Sequence, residues 1–526
     1  MRKLLPLLAL AGCWEDTRPI QWTRDRTVLG PIPLKSQVAY VDSALDRVTL
    51  VDMANDTPAI ATVPIGRNAV TATPSPDRHD LFVVTRGEEA VHEGEIDQAP
   101  MFWVVDANNA GRSSAPIAYP IGSPFDRIAV SPDEHVAIAY FSAAGPDAQG
   151  FFRNPNELAI IDLTQPPGDA NPTLKTIRSF GSVPEGIELS PPMTVPGTTA
   201  DPRTFAFVLS ENNLTVMDTS HPTLPEISIR LDLGGQPVTP KEIVFAPNSA
   251  SAYVRSDNAR DVLQVLLEAN SQATTGENDF MPALAELGAG GGPTDIAVYD
   301  DATPRRYVLA STPNTGEVVV IDADTAQFRS IGVTDPIDRI LLFPDGPDMV
   351  PHKALFASIG AKLPRLWVLD LDNIQDPLTQ AKLRKIDLDQ PVHDVVPVPG
   401  KGLALVVNDD ARTVLGLLDM TTESTSPLLG VGKLDSYDFT PTGSHLIGAT
   451  DGVSRVGFVE LDNLHPTDFR LDDPPERVLS LENDKIFVDH GDPTGHATII
   501  PSPTATRADA LVLTGFLTDN LLDWEP

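Results

Sequence analysis

The feature that most constrains the fold of this chain is a repeat built only from strand-like segments. Each unit holds a short apolar segment, a second that ends in an acid, a third that ends in Gly or Asp, and a fourth that runs into Pro or Ser-Pro. The first unit contains Ala39–Asp42, Val48–Asp52, Ala61–Gly66 and Ala69–Pro76. Val, Ile and Thr bounded by Gly, Pro, Asn and Asp are typical of short β-strands. We therefore expect an architecture that grows by adding all-β units.

The acid that ends the second segment marks the repeat along the whole chain. Its spacing ranges from 41 residues, between Asp419 and Glu460, to 56 residues, between Asp106 and Asp162. The nine positions are Asp52, Asp106, Asp162, Asp218, Glu268, Asp322, Asp370, Asp419 and Glu460. A period of this length made only of strands is what a four-stranded propeller blade produces. We predict an all-β fold, a single closed β-propeller of eight or nine blades with nine favoured, and Ala510–Phe516 as a late strand that helps to close the ring.

Short segments within the units resemble the YVTN family of propeller repeats. They include Ile128–Asp133, Ala252–Val254 and Val318–Asp322. The resemblance extends over nearly the whole chain, although each unit matches weakly and the fifth is interrupted by Gly288–Gly292. The family resemblance implies a propeller fold, and repeat families identify architecture far better than function.

The first 13 residues resemble a bacterial lipoprotein leader. Arg2 and Lys3 precede the apolar stretch Leu4–Leu10, and small residues stand directly before Cys13, the single cysteine of the chain. The resemblance implies cleavage before Cys13, acylation of that residue and, because Trp14 follows it, an outer-membrane destination. We expect a signal peptide over residues 1–12, a lipidated tether over 13–37 and the propeller over 38–526, in the bacterial cell envelope. The alternative is a cytosolic protein with a fortuitous apolar start and a buried cysteine.

The charge of the chain restricts its partners. With 38 Lys and Arg against 73 Asp and Glu, the formal net charge is −35. Nucleic acid is excluded as an expected partner because phosphate binding needs clustered cations. The same sign disfavours a peripheral attachment to anionic lipid. The membrane, through acylated Cys13, and an unidentified protein or small molecule are the remaining expected partners.

The sequence contains none of the catalytic motifs that we sought. One cysteine excludes a haem attachment site and a thiolate metal site, and nucleophile-elbow, zinc-helix and Walker motifs are missing. We therefore predict no catalytic residue and no cofactor other than a divalent cation. One candidate metal site is the loop with His490, Asp492 and His496, which places imidazole and carboxylate ligands around one turn. The alternative, which we favour, is a loop whose polar side chains satisfy backbone donors.

A second candidate site is a set of carboxylates at the start of the innermost strands, where they would gather at one mouth of the central channel. They are Asp126, Glu185, Glu242, Asp295, Asp338, Asp394, Asp435 and Glu476. Such a ring would attract a cation or a cationic group. Basic neighbours such as Arg127, Lys241 and Arg339 favour the alternative, in which the acids pair with neighbours or cap strand-end amides.

Three functions fit these observations. The first, which we favour, is a lipid-anchored binding or protein-interaction scaffold, since loops carried by a rigid frame are where recognition concentrates. The second is a structural subunit of an envelope assembly. The third, implied by the repeat resemblance, is a lactonase-like propeller hydrolase with a metal at the channel mouth.

Overall fold

The computed structural model is a β-propeller of ten antiparallel sheets, each formed by four consecutive strands. We call these sheets blades 1 to 10 in chain order. The structure describes residues 26–518 except 89–96, 107–114, 143–153, 179–183, 199–200, 233–236, 248, 302–304, 345–349, 373, 375–382, 409–414 and 429–433. The expected signal peptide and Cys13 lie outside the described residues.

The first half of the ring holds β1 to β20. Blade 1 contains Val28–Pro33, Gln37–Asp42, Arg47–Asp52 and Ala59–Pro64; blade 2 contains Ala69–Pro74, Asp80–Thr85, Met101–Asp106 and Ile117–Pro120; blade 3 contains Arg127–Val130, Val136–Tyr140, Glu157–Asp162 and Thr173–Thr176; blade 4 contains Gly186–Leu189, Phe205–Ser210, Asn213–Asp218 and Ile227–Arg230; blade 5 contains Thr239–Phe245, Ser251–Asp257, Val262–Ala269 and Phe280–Leu287.

The second half of the ring holds β21 to β40. Blade 6 contains Asp295–Asp300, Arg306–Thr312, Glu317–Asp322 and Gln327–Gly332; blade 7 contains Arg339–Pro344, Pro351–Ala357, Arg365–Asp370 and Arg384–Asp387; blade 8 contains Val392–Pro397, Leu403–Asn408, Leu415–Asp419 and Ser424–Leu428; blade 9 contains Ser436–Phe439, His445–Ala449, Arg455–Glu460 and His465–Arg470; blade 10 contains Arg477–Ser480, Ile486–Asp489, His496–Ile500 and Leu511–Thr514. A short 3₁₀ helix, Arg507–Asp509, precedes β40.

The first strand of each blade is the innermost. First strands of neighbouring blades lie against each other, whereas last strands such as β4 and β36 are largely exposed. We call the face that carries the first-to-second and third-to-last turns the upper face. The lower face carries the second-to-third turns and the connections to the next blade. Because β1 is innermost and begins at the lower face, the chain enters the ring from that side.

The hydrophobic core lies between the blades. Ten apolar clusters of buried residues each join two adjacent blades, and the tenth joins blade 10 to blade 1. In that closing cluster Val38 and Tyr40 pack against Phe487, Ile499 and Phe516. Among the described residues, blades 1 and 10 each keep four consecutive strands, so the ring is closed by contacts between the two blades and not by the exchange of a strand.

The prediction of eight or nine blades is wrong, because the acid used for the count is not present in every blade. The third strand of blade 10, His496–Ile500, ends in an aliphatic residue followed by Pro501, so the count missed that blade. The ring also begins before residue 38, because Val28–Pro33 pairs with β2 although it contains Gly30 and two prolines. The late strand Leu511–Thr514 belongs to blade 10 itself, and Phe516 just beyond it contributes to closure.

The recurring acid and the recurring Ser-Pro-Asp each close a turn on the upper face. The Asp52 carboxylate accepts a hydrogen bond from the Ala54 N–H at 2.8 Å, and Asp162 and Asp322 cap their turns in the same way. In the Ser-Pro-Asp turn of blade 2, Ser75 Oγ accepts hydrogen bonds from the amides of His79 and Asp80. The repeat therefore reflects the hydrogen bonds that close these turns.

Among the residues that the structure describes, no helix is long and apolar enough to span a membrane.

Candidate functional site

Seven of the eight candidate channel acids lie at or near the lower-face start of an innermost strand, and Glu242 lies in the middle of β17. Three of them cap the loop that follows the second strand of their own blade. Asp126 accepts a hydrogen bond from the Ser142 N–H at 2.8 Å, and Asp435 accepts one from the Asp451 N–H at 2.9 Å. Asp338 accepts hydrogen bonds from two consecutive amides. These carboxylates fix the lower-face loops of their own blades.

Two other acids are paired with cations. Lys241 Nζ lies 3.1 Å from Glu185 Oε2, which links blade 5 to blade 4. Arg255 Nε lies 2.8 Å from Glu242 Oε2 within blade 5. Both pairs neutralise carboxylate charge that would otherwise attract a cation into the channel.

The remaining three acids are held against backbone. Asp295 accepts a hydrogen bond from the Ile340 N–H of the next blade, and burial raises the pKa of this carboxyl to about 6. Asp394 accepts from the Val395 N–H at 2.8 Å. Glu476 lies so close to Gly491 that a Cβ there would fall 1.6 Å from Oε2. The described contacts of the eight acids are those expected of caps and blade-to-blade links.

In the loop with His490, Asp492 and His496, the two imidazole rings lie together but the Asp492 carboxylate does not join them. The two rings stack with centroids 4.3 Å apart. His490 bonds to the Pro474 carbonyl through Nδ1 and to Thr498 Oγ1 through Nε2, each at 2.9 Å. Asp492 accepts two hydrogen bonds from Thr494, so its carboxylate closes its own turn. These three residues do not form a common ligand set in the structure.

The described residues contain one group whose ligand atoms converge as a metal would require, namely His79, Asp80 and Asp106 on the upper face of blade 2. His79 Nδ1 lies 3.8 Å from a carboxylate oxygen of each aspartate. Asp80 and Asp106 are directly opposite each other on β6 and β7. Burial, together with the neighbouring charge of Asp106, raises the pKa of Asp80. From the sequence Asp106 is recognisable only as the repeat acid, and the cross-strand register that places Asp80 opposite it is the signal that could reveal the group.

A cleft of about 770 Å³ opens on the same face between blades 3 and 4. Its polar lining comes from turn residues, which include His135, Asp162, Thr164, Asp169, Asn171 and Ser220. The β11–β12 loop forms one wall and is fixed from two sides. Tyr119 of blade 2 donates a hydrogen bond to the Gln165 carbonyl at 3.0 Å. The Asn171 side chain donates to the Asp162 carbonyl at 2.8 Å and accepts from the Asp162 N–H at 3.0 Å.

Solved structures resemble this chain at low similarity. Dihydro-heme d1 dehydrogenase NirN in complex with DHE has a TM-score of 0.42 and 14% identity, over 85% of this chain and 78% of that chain. The Dos1 propeller has a TM-score of 0.40 and 13% identity, over 69% of this chain and 89% of that chain. The chain matches no protein-family model and no curated protein. The propeller fold is established by the ten sheets themselves, and the YVTN and lipoprotein resemblances stay predictions.

Proposed function

We propose that this chain is a lipid-anchored binding scaffold of the bacterial cell envelope, and that its partner docks in the upper-face cleft between blades 3 and 4. The cleft is the observation that supports this proposal. Its volume of about 770 Å³ falls in the range of roughly 300–1,000 Å³ that ligand sites occupy. Loops that are already ordered lose little conformational entropy on binding, so the bonds of Tyr119 and Asn171 favour affinity.

The charge of the cleft selects the partner. Asp162 and Asp169 supply carboxylates to its lining, which includes no Lys or Arg. The whole chain carries a formal charge of −35, which steers cations toward it. The partner is therefore a protein segment that places a Lys or Arg side chain in the cleft.

The position of the N-terminus supports display of this face. Arg26 bonds to the Pro493 and Leu517 carbonyls, which lie on lower-face connections of blade 10. The 13 residue steps from Cys13 to Arg26 span at most about 45 Å of extended chain. An acylated Cys13 would hold the lower face toward the membrane and leave the upper face turned toward partners.

Site-directed photo-crosslinking in intact cells tests the proposal. A photoreactive amino acid replaces Asp169 in the cleft or, as the control, Asp324 in the corresponding turn of blade 6; both positions are exposed. We expect one discrete protein adduct from position 169 and none from position 324, and substitution of the partner's cross-linked basic residue should abolish it. No adduct at position 169, or the same adducts at both positions, would exclude the cleft as the docking site.

Membrane attachment has its own test. Mass spectrometry of the mature protein should show an acylated Cys13 at the N-terminus, and Cys13→Ser should release the protein from the membrane fraction. A membrane-bound Cys13→Ser variant would remove the anchor from the proposal and leave the cleft to be judged by cross-linking alone.

A further inference from the structure

Blade 2 departs from the other blades at the pair that begins its second strand. In most blades the residue opposite the third-strand acid is apolar, neutral or basic. Examples are Val136 opposite Asp162, Phe205 opposite Asp218, Tyr307 opposite Asp322, Lys353 opposite Asp370 and Leu403 opposite Asp419. Among the cross-strand partners of these repeat acids that the structure describes, blade 2 alone places a second carboxylate there, with Asp80 opposite Asp106.

Two carboxylates directly opposite each other on adjacent strands repel and destabilise the sheet. One further acid, Glu134 of blade 3, increases the negative potential around them. The Asp77 amide donates to Glu134 Oε1 of blade 3, and Asp77 itself is paired with Lys35 at 3.2 Å, with both side chains substantially exposed. A cation bound between Asp80 and Asp106 would reverse the unfavourable interaction at this pair.

The imidazole completes a set of three donors of mixed type. His79 Nδ1 lies 3.8 Å from an oxygen of each aspartate. The three donor atoms all lie within 4.8 Å of one another, so modest side-chain rotation lets them share an ion at the usual bond length of about 2.0–2.2 Å. One nitrogen and two oxygen donors suit a transition metal such as Zn²⁺ or Mn²⁺ better than Ca²⁺, which takes oxygen ligands.

We propose that His79, Asp80 and Asp106 form a divalent transition-metal site on the upper face of blade 2, with water completing the coordination shell. The site is distinct from the cleft between blades 3 and 4. Its occupancy would fix the Ser-Pro-Asp turn against the end of the third strand, because His79 and Asp80 follow that turn and Asp106 ends that strand.

Calorimetric titration of the chelator-treated full chain with Zn²⁺ and with Mn²⁺ tests the site. We expect the unmodified protein to bind one ion at this site, and His79→Ala and Asp80→Val to weaken that binding by at least about tenfold. Asp80→Val copies the Val136 of blade 3, and without metal it should melt no lower than the unmodified protein because the carboxylate repulsion is gone. Asp80→Asn serves as a second variant of nearly unchanged shape.

Two histidines provide matched controls. His135 occupies the same turn position in blade 3 but has Val136 beside it, and His496 belongs to the stacked pair of blade 10. His135→Ala and His496→Ala should bind metal as the unmodified protein does. With Co²⁺ as the probe, a visible absorption band should be lost in His79→Ala and kept in both controls. The proposal is overturned if the unmodified protein binds no metal, if His79→Ala and Asp80→Val bind it equally well, or if His496→Ala is the variant that loses binding.

Discussion

The Tyr40 hydroxyl donates a hydrogen bond to Oδ1 of Asp489 at 3.0 Å, although the two residues are 449 positions apart. Both are buried, and the bond joins the second strand of blade 1 to the second strand of blade 10. Burial raises the pKa of Asp489, and the bond from Tyr40 opposes that increase. The Tyr40 ring also packs edge-on against Phe516, with centroids 5.5 Å apart. This contact is a buried polar link across the interface that closes the ring.

Tyr40→Phe should destabilise the protein by about 1–3 kcal/mol, because the buried Asp489 carboxylate loses the Tyr40 hydroxyl and keeps the Gly491 N–H as a donor. The measurement is the free energy of unfolding in urea. Tyr299→Phe is the matched control: Tyr299 is as deeply buried, and its hydroxyl has no hydrogen-bond partner among the described residues. That variant should be close to neutral. Equal losses in the two variants would mean that the Tyr40 bond contributes nothing specific to closure.

Arg203 connects blades 4 and 5. We expect Arg203→Met to cost about 1.5–3 kcal/mol because it removes a charge-assisted hydrogen bond to the buried Asp218 carboxylate, which keeps the Ser220 N–H and the His221 ring as partners. Its guanidinium lies 2.7 Å from the buried carboxylate of Asp218, also pairs with Asp279 of blade 5, and stands 5.4 Å from the ring centroid of Phe205. Thermal denaturation measures the loss. Adding Asp218→Asn should recover part of it. The pair of exposed Arg230 and half-buried Asp232 provides the comparison, since Arg230→Ala should change stability by less than about 1 kcal/mol.

Asp295 should make stability depend on pH. Its folded-state pKa of about 6 exceeds the ordinary value of 3.8 for an aspartate, so its contribution to stability is complete below pH 4 and is lost as the pH rises through 6. The loss amounts to at most about 3 kcal/mol. The side chain introduced by Asp295→Asn does not titrate. The melting temperature of this variant minus that of the unmodified protein should therefore be higher at pH 7.5 than at pH 4. A difference that is the same at both pH values would contradict this prediction.

Asn171 should control the order of the cleft wall. Its side-chain amide bonds to the Asp162 backbone on both sides and to the Gln165 carbonyl at 3.0 Å. Asn171→Ala should remove these bonds at a cost of about 1–3 kcal/mol. Hydrogen exchange measured by mass spectrometry should then show faster exchange across residues 162–171, while exchange in the corresponding turn of blade 6 stays unchanged. Unaltered exchange in the variant would show that the loop is held by other contacts.

The fold class was predictable because its signals are local. An acid such as Asp52 or Asp162 caps a turn within two residues of itself, and Ser75 binds amides four and five residues away. These interactions recur in most units, so the period and the four-stranded blade can be predicted from the sequence. The same dependence on local turn chemistry caused the error in the count, because the turn after Ile500 in blade 10 is not closed by the repeat acid.

The candidate sites were less predictable because they depend on which residues meet across strands and across blades. The stacking of His490 and His496 brings two predicted ligands together, yet Asp492 turns to its own loop. The acids of the innermost strands were located by position, but their partners come from other strands of the same blade, as for Asp126, or from the next blade, as for Asp295 and the Ile340 amide.

The sequence by itself determined the strands, the turns and the all-β propeller, because each of these arises from hydrogen bonds and side-chain alternation over a few residues. Only the tertiary structure decided the number of blades, the hydrogen bond from Tyr40 to Asp489, and the proximity of His79 to Asp80 and Asp106. These features depend on packing and register between segments, which no single repeat unit encodes. A ring closes at the number of blades whose interfaces pack without gaps, and that condition is met only by all ten interfaces together.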